Sequence, residues 1–290
     1  MLNNKSTFRS WLLFIAVSFI WGSSFILMKK GLIAFTPLQV ASMRIFIASI
    51  IFIPFALMRL RELKIKNWFY IVIIGFIGTG IPPFLFTKAQ TVINSATTGI
   101  LNSLTPLFAL IIGIFFFRIK MDINKIFGVI IGMAGVSVLL LMKSQGNLNI
   151  SIYGLLVVLA TIFYATSSTM LKVFFQNMKP LHITSFIFLF IGPPAGIYLL
   201  FSDIPASFQH PDALQSFWYI VLLAVVNTSL ATFLFNKLIQ TSSAIFAQSV
   251  TYLIPAVSVF WGILDGEQVD IYDFMGIVLI ILGVLLINRK

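Results

Sequence analysis

The chain contains no cysteine, only 2 histidines and only 8 acidic residues among its 290 positions. Without cysteine there is no disulfide framework, no thiolate metal site and no cysteine nucleophile. His182 opens an apolar segment and His210 stands in a loop, too far apart for a metal cluster or a catalytic pair, so neither an enzyme activity nor a metal or other cofactor is expected. Charge of any kind is scarce, at 9% of residues. A formal charge of +11 in a soluble domain would suggest nucleic acid, yet no basic run exceeds a pair such as Lys29-Lys30, and no nucleic-acid partner is expected. Inside the apolar segments carboxylates are missing too, apart from Asp273 at the end of the last one. That excludes a midplane carboxylate alternating between a proton and a cationic drug.

What is there is apolar. At 59% hydrophobic residues and a mean hydropathy of +1.05, the chain cannot hide its apolar surface in one soluble core. It reads as an all-α integral membrane protein whose first partner is the lipid bilayer. Ten segments are long enough to cross about 30 Å of hydrocarbon. They cover 11–31, 38–58, 68–87, 95–117, 124–142, 153–173, 181–200, 216–236, 243–263 and 271–288, and are called helices 1 to 10 below. Continuous apolarity favours helices over the alternating pattern of barrel strands. Lys5 and Arg9 precede helix 1 as in a signal peptide, but its length, the lack of a small-x-small cleavage site and its internal repeat-mate mark a retained helix.

Lysine and arginine set the orientation. With a cytoplasmic N-terminus, Lys5, Arg9, Arg59, Arg61, Lys64, Lys66, Arg118, Lys120, Lys125, Lys172, Lys179, Lys237, Arg289 and Lys290 fall inside, against Lys29, Lys30, Lys88 and Lys143 outside. Both termini are therefore expected in the cytoplasm of a bacterial inner membrane.

The chain also repeats itself. An offset of 143 carries Trp21, Ser24, Lys29 and Pro37 onto Tyr164, Ser167, Lys172 and Pro180. An offset of 149 carries Thr79 and Pro106 onto Thr228 and Pro255, and one of 148 carries Gly128 and Gly135 onto Gly276 and Gly283. Such a fixed offset is the mark of a structural repeat. The predicted units are 11–142 and 153–288, joined in one membrane domain. Five helices per unit is an odd number, so the two units run inverted, a route to alternating access at a central site.

Several polar residues recur at helical spacing and face the predicted centre. Pro106 and Pro255, near the middle of helices 4 and 9, free the carbonyls of Asn102 and Thr251. They are either kinks healed by neighbouring helices or the border of a cavity. Thr98, Asn102 and Thr105 share a face of helix 4; helix 9 offers Gln248, Thr251, Tyr252 and Ser258. Asn227, Thr228 and Thr232 lie in helix 8, and Thr161, Tyr164, Ser167 and Ser168 in helix 6. Singly, each bonds its own helix or a neighbour; together they outline a neutral polar cavity with aromatic walls at Trp21, Phe84, Tyr164 and Tyr252. Ser24 and Thr79 belong to the same set. Arg44, about two turns into helix 2, either snorkels outward and ties helix ends or meets an anionic group of a substrate. Lys29, Lys88, Lys172 and Lys237 read as interface anchors. Gly128 to Gly132 is a small-xxx-small pattern suited to packing in the bundle or to dimerisation, and no oligomeric state is predicted.

These residues resemble the drug/metabolite transporter superfamily, in particular its EamA-type ten-helix members. Trp21-Gly22-Ser23-Ser24-Phe25, Lys29, Pro37, Arg44, Pro106, Gly128 and Gly135 are similar to the first repeat of that family. Pro180, Pro255, Gly266-Glu267, Gly276 and Gly283 are similar to the second. Two departures stand out: Arg118 where the first repeat usually has Glu, and Tyr164-Ala165 where the second could echo Trp-Gly. The resemblance implies two inverted five-helix repeats around a cavity formed by helices 1, 3, 4, 6, 8 and 9, with helices 5 and 10 peripheral. It implies export of small metabolites such as amino acids. The alternatives are uptake or exchange of a sugar-linked or phosphorylated solute, and a membrane scaffold that moves nothing.

Overall fold

The apolar stretches fold as helices, and most of those around the centre are interrupted. In this computed structural model residues 4–60, 65–117, 123–138, 142, 148–175, 178–241 and 249–288 are described, and among them no strand occurs. Seven helices among the described residues are long and apolar enough to span a bilayer. They are helix 1 (Ser10–Gly31), helix 2 (Pro37–Arg59), helix 3 (Trp68–Ala89), helix 4 (Ser95–Gly113), helix 6 (Ile152–Leu171), helix 7 (Pro180–Phe201) and helix 8 (Ala213–Phe235). Helix 5 is described over Ile123–Ser137. Helices 9 and 10 appear as shorter apolar pieces, Val250–Leu264 and Ile271–Gly283.

The interruptions follow the repeat. Helix 3 contains a π-turn at Phe76–Gly80 and helix 8 one at Leu223–Leu230. Helix 4 stops at Asn102 and resumes at Thr105; helix 9 enters through a 3-10 turn, Ser249–Tyr252, and resumes at Ile254. Pro106 and Pro255 are each the second residue of the resumed piece. The expectation of prolines inside continuous helices is thus corrected. At the start of a helix the missing proline N–H has no partner to lose, so these residues begin helices rather than bend them. Helix 1 breaks as well, at Ser23, between Asn4–Gly22 and Ser24–Gly31. Its repeat-mate, helix 6, runs unbroken over Leu148–Phe174.

Packing places the broken helices inside. Helix 2 lies along helix 7, and helix 5 along helix 10. A Cβ added at Gly283 would sit 2.6 Å from Gly128 O and Gly132 N, so the Gly128 to Gly132 pattern is occupied by helix 10 of the same chain. The largest buried cluster gathers Phe25 and Met28 of helix 1, Phe86 of helix 3, Ile100 and Leu104 of helix 4 and Leu223 of helix 8.

Candidate functional site

The broken helices meet around one cavity of ≈ 250 Å³. At about 30 Å³ for each water, it holds roughly eight waters or a metabolite of similar bulk. Trp21, Ser24, Arg44, Thr79, Asn102, Tyr164, Ser167, Asn227, Thr228 and Thr251 line it, together with Pro106. Tyr252 and Pro255 do not line it. The 3-10 turn stacks residues three apart, so Thr251 and Ile254 face the cavity while Tyr252 packs on the hydrophobic cluster beside it. Gln248 lies outside the described residues. The aromatic wall on helix 3 is Phe86, not Phe84. Thr79, Pro83 and Phe86 follow the i, i+4, i+7 stripe, and Phe84, one step off it, packs toward helices 2 and 7. The same stripe, read from Thr79, would have found Phe86 in the sequence.

The hydroxyls of the wall point their protons at backbone carbonyls. Ser24 donates to Trp21 O at 2.6 Å, Thr105 to Asn102 O at 2.8 Å and Ser168 to Ala165 O at 3.0 Å. The Thr105 bond satisfies the Asn102 carbonyl left open by the break in helix 4. Ser167 crosses to helix 3 and donates to Ile74 O at 3.1 Å, and Asn227 Nδ2 donates to Ile20 O in helix 1. These groups therefore present mainly acceptor oxygens to the cavity. Asn102 Oδ1 is buried without any partner.

Arg44 is the cation of this site. It is 8% exposed, and its Nε donates to Thr228 Oγ1 at 2.7 Å. Among the described residues no carboxylate lies within ion-pair distance of it. Its side chain lines the cavity rather than reaching outward, and the other described lining residues are neutral.

Toward Lys29 the elements around the cavity are joined by ion pairs. Lys29 Nζ bonds Asp265 at 2.6 Å and Glu267 at 2.8 Å, and Lys30 pairs with Asp265. Glu267 then accepts from Ser95 N, Ser95 Oγ and Ala96 N at 3.0, 2.7 and 3.0 Å. A carboxylate at the start of helix 4 is favoured by the helix dipole. Helix 1, helix 4 and the loop between helices 9 and 10 are thereby tied by one group, and Lys29 is a latch rather than a mere anchor. Burial alone would push the Glu267 carboxyl up, but the bonds from Lys29, Ser95 and Ala96 hold it below its ordinary value. For Asp265, burial is likewise outweighed by Lys29 and Lys30. Sequence reasoning missed this latch because Lys29 and Glu267 are 238 residues apart. Away from it, the cavity extends to Ala109, Leu171, Thr184, Thr232 and Phe235, on the far side of the breaks.

Comparison with known proteins agrees with this architecture. The chain is 26% identical over 285 residues to an uncharacterized transporter of Archaeoglobus fulgidus, covering 97% of this chain and 99% of that one. It is 25% identical to the transporter YoaV of Bacillus subtilis over 93% of both chains. It is also 25% identical to the inner membrane transporter YedA of Escherichia coli over 94% of this chain and 88% of that one. One solved crystal structure of a protein superposes with a TM-score of 0.65 over 96% of each chain at 14% identity, a likeness of fold. The EamA-like transporter family matches twice, over residues 9–141 and 151–289. With both repeats matched across nearly its whole length, the chain belongs to the EamA-like transporter family.

Proposed function

We propose that this chain exports small metabolites such as amino acids across the cytoplasmic membrane by alternating access, with both termini in the cytoplasm. The observation that carries the reading is Arg44, nine-tenths buried, facing the cavity and without a carboxylate partner among the described residues. A buried charge without a counter-ion is costly, and a substrate carboxylate would supply one. The neutral acceptors around it suit the hydrogen-bond donors of the same small molecule, and the cavity's volume of ≈ 250 Å³ suits a small metabolite better than a bulky sugar-linked one.

The lysine distribution supports placing the Lys29 end outside, which makes the described conformation sealed outward and extended inward. Transport then requires the latch to open as the opposite end closes. With no carboxylate among the described residues of the cavity wall to carry a proton, movement is facilitative or by exchange; accumulation driven by a pH gradient alone would contradict this.

The experiment is a thermal-shift comparison on purified protein. Amino acids should raise the melting temperature, their decarboxylated amines should not, and Arg44→Ala should abolish the shift. A ligand at one hundred times its Kd stabilises by about 2.7 kcal/mol. Equal stabilisation by the amines would contradict the role given to Arg44.

A further inference from the structure

A second concavity, a groove of ≈ 440 Å³ between helices 1, 8 and 9, lies outside the central cavity. Its rims are large apolar side chains exposed to the hydrocarbon: Phe19 at 48%, Leu222 at 46% and Leu264 at 64%. Its floor is the break in helix 1. Trp261 Nε1 donates to Ser23 Oγ at 2.8 Å, and Ser23 Oγ in turn donates to Phe19 O at 2.7 Å. Asn227, which lines both the groove and the central cavity, donates to Ile20 O between them. The polar groups of the floor are thus already bonded to one another, and the groove asks no hydrogen bond of an occupant along its length. Among the described residues charge occurs at one end alone, where Lys30 and Asp265 meet.

We infer that this groove binds one acyl chain of a glycerophospholipid from the leaflet on the Lys29 side, with the phosphodiester at Lys30. Four features agree with that occupant. The stretch from Phe19 to Lys30 rises about 16 Å, close to half of a hydrocarbon core of about 30 Å. At about 30 Å³ per water-sized group, the groove accommodates roughly fifteen methylenes. The one cationic side chain lies at the interfacial end, where a phosphate sits, and Lys30 has a single carboxylate neighbour for its three donors. Finally, a helix broken in mid-bilayer needs its irregular backbone kept from bare hydrocarbon defects, and a chain seated over Ser23 seals that break while leaving the Asn227 bond intact. The site shares the Asn227 wall with the substrate cavity but does not depend on what is transported.

The test is native mass spectrometry of the full chain in detergent, exchanged with either phosphatidylglycerol or a diacylglycerol of the same chain length. The wild type should retain one phosphatidylglycerol, about fivefold more than diacylglycerol, the weight of one lysine at a phosphate surface. Lys30→Gln should lower phosphatidylglycerol retention to the diacylglycerol level, and Val226→Trp, which fills the groove, should remove both. Equal retention of the two lipids by the wild type, or unchanged phosphatidylglycerol retention in Lys30→Gln, would overturn the headgroup assignment. Retention in Val226→Trp equal to the wild type would overturn the groove as the site. If Val226→Trp fails to fold, the Lys30→Gln comparison decides alone.

Discussion

Arg44 Nε donates to Thr228 Oγ1 at 2.7 Å, joining helix 2 of the first repeat to helix 8 of the second. The π-turn makes this possible. Thr228 donates its own proton to Leu223 O, five residues back, at 3.0 Å, which leaves its oxygen free to accept from the guanidinium. One of Arg44's donors is used in holding the group still, and the side chain itself lines the cavity. Arg44→Lys keeps the charge but loses the planar fork and the Nε bond. Transport by Arg44→Lys should fall at least about tenfold, the equivalent of roughly 1.4 kcal/mol, with expression unchanged. Wild-type rates in Arg44→Lys would reduce the side chain to a point charge.

Asn102 has a buried oxygen without a partner, on the face of helix 4 that lines the cavity. Replacing Asn102 by Leu removes that acceptor, and transport should fall more than expression does. The unpartnered oxygen also means that the same substitution should leave the melting temperature of the ligand-free protein unchanged or slightly higher. A large loss of stability with normal transport per folded molecule would make Asn102 a structural residue.

The latch can be tested by accessibility, because a chain without cysteine accepts a single reporter thiol. With Met28→Cys as the reporter, Glu267→Gln should increase labelling by an impermeant maleimide applied from the Lys29 side. The bond to Lys29 and the charge at the start of helix 4 are both weakened, so the sealed form loses population. Labelling that does not change would mean that the apolar packing at Phe25 and Met28 closes this end by itself.

The same carboxylates predict a dependence on pH. Asp265 and Glu267 titrate below their ordinary values in the folded protein, and below the unfolded values of about 3.9 and about 4.3. Their contribution is complete above that range and is lost as the pH falls through the folded values, where the unfolded chain already binds the protons. The melting temperature should be level from neutrality down to about pH 5 and decline in more acidic buffer. Glu267→Gln should flatten the decline. An unchanged slope in that variant would place the acid-sensitive group elsewhere.

Helices 4 and 9 touch at Gly99, where an added Cβ would lie 2.1 Å from Ser258 Oγ. Gly99→Val should overpack this crossing and cost about 1–3 kcal/mol. Adding Ser258→Gly to it should recover part of the loss. No recovery in the double variant would show that the strain falls on another neighbour.

Much of this was legible in the sequence. The ten apolar spans follow from continuous runs of about 20 residues, and the paired Pro106 and Pro255 marked where helices 4 and 9 are interrupted. Polar cavity residues could be found because they recur at helical spacing, as Asn102 and Thr105 do, or at a fixed offset, as Thr79 and Thr228 do. What escaped notice depends on local backbone geometry or on distant contacts. The π-turns at Phe76–Gly80 and Leu223–Leu230 carry no proline to announce them. Tyr252 was misplaced because a 3-10 turn changes which residues share a face. The Lys29 and Glu267 pair, separated by almost the whole chain, had no local signal at all.

The central claim is that Arg44 holds the anionic group of a transported small metabolite, and counterflow in proteoliposomes tests it most directly. Vesicles loaded with an unlabelled amino acid that raised the melting temperature should take up the labelled one. The Arg44→Ala protein, at equal density in the same lipid, should take up no more than empty vesicles. Counterflow by Arg44→Ala at the wild-type rate would contradict the account.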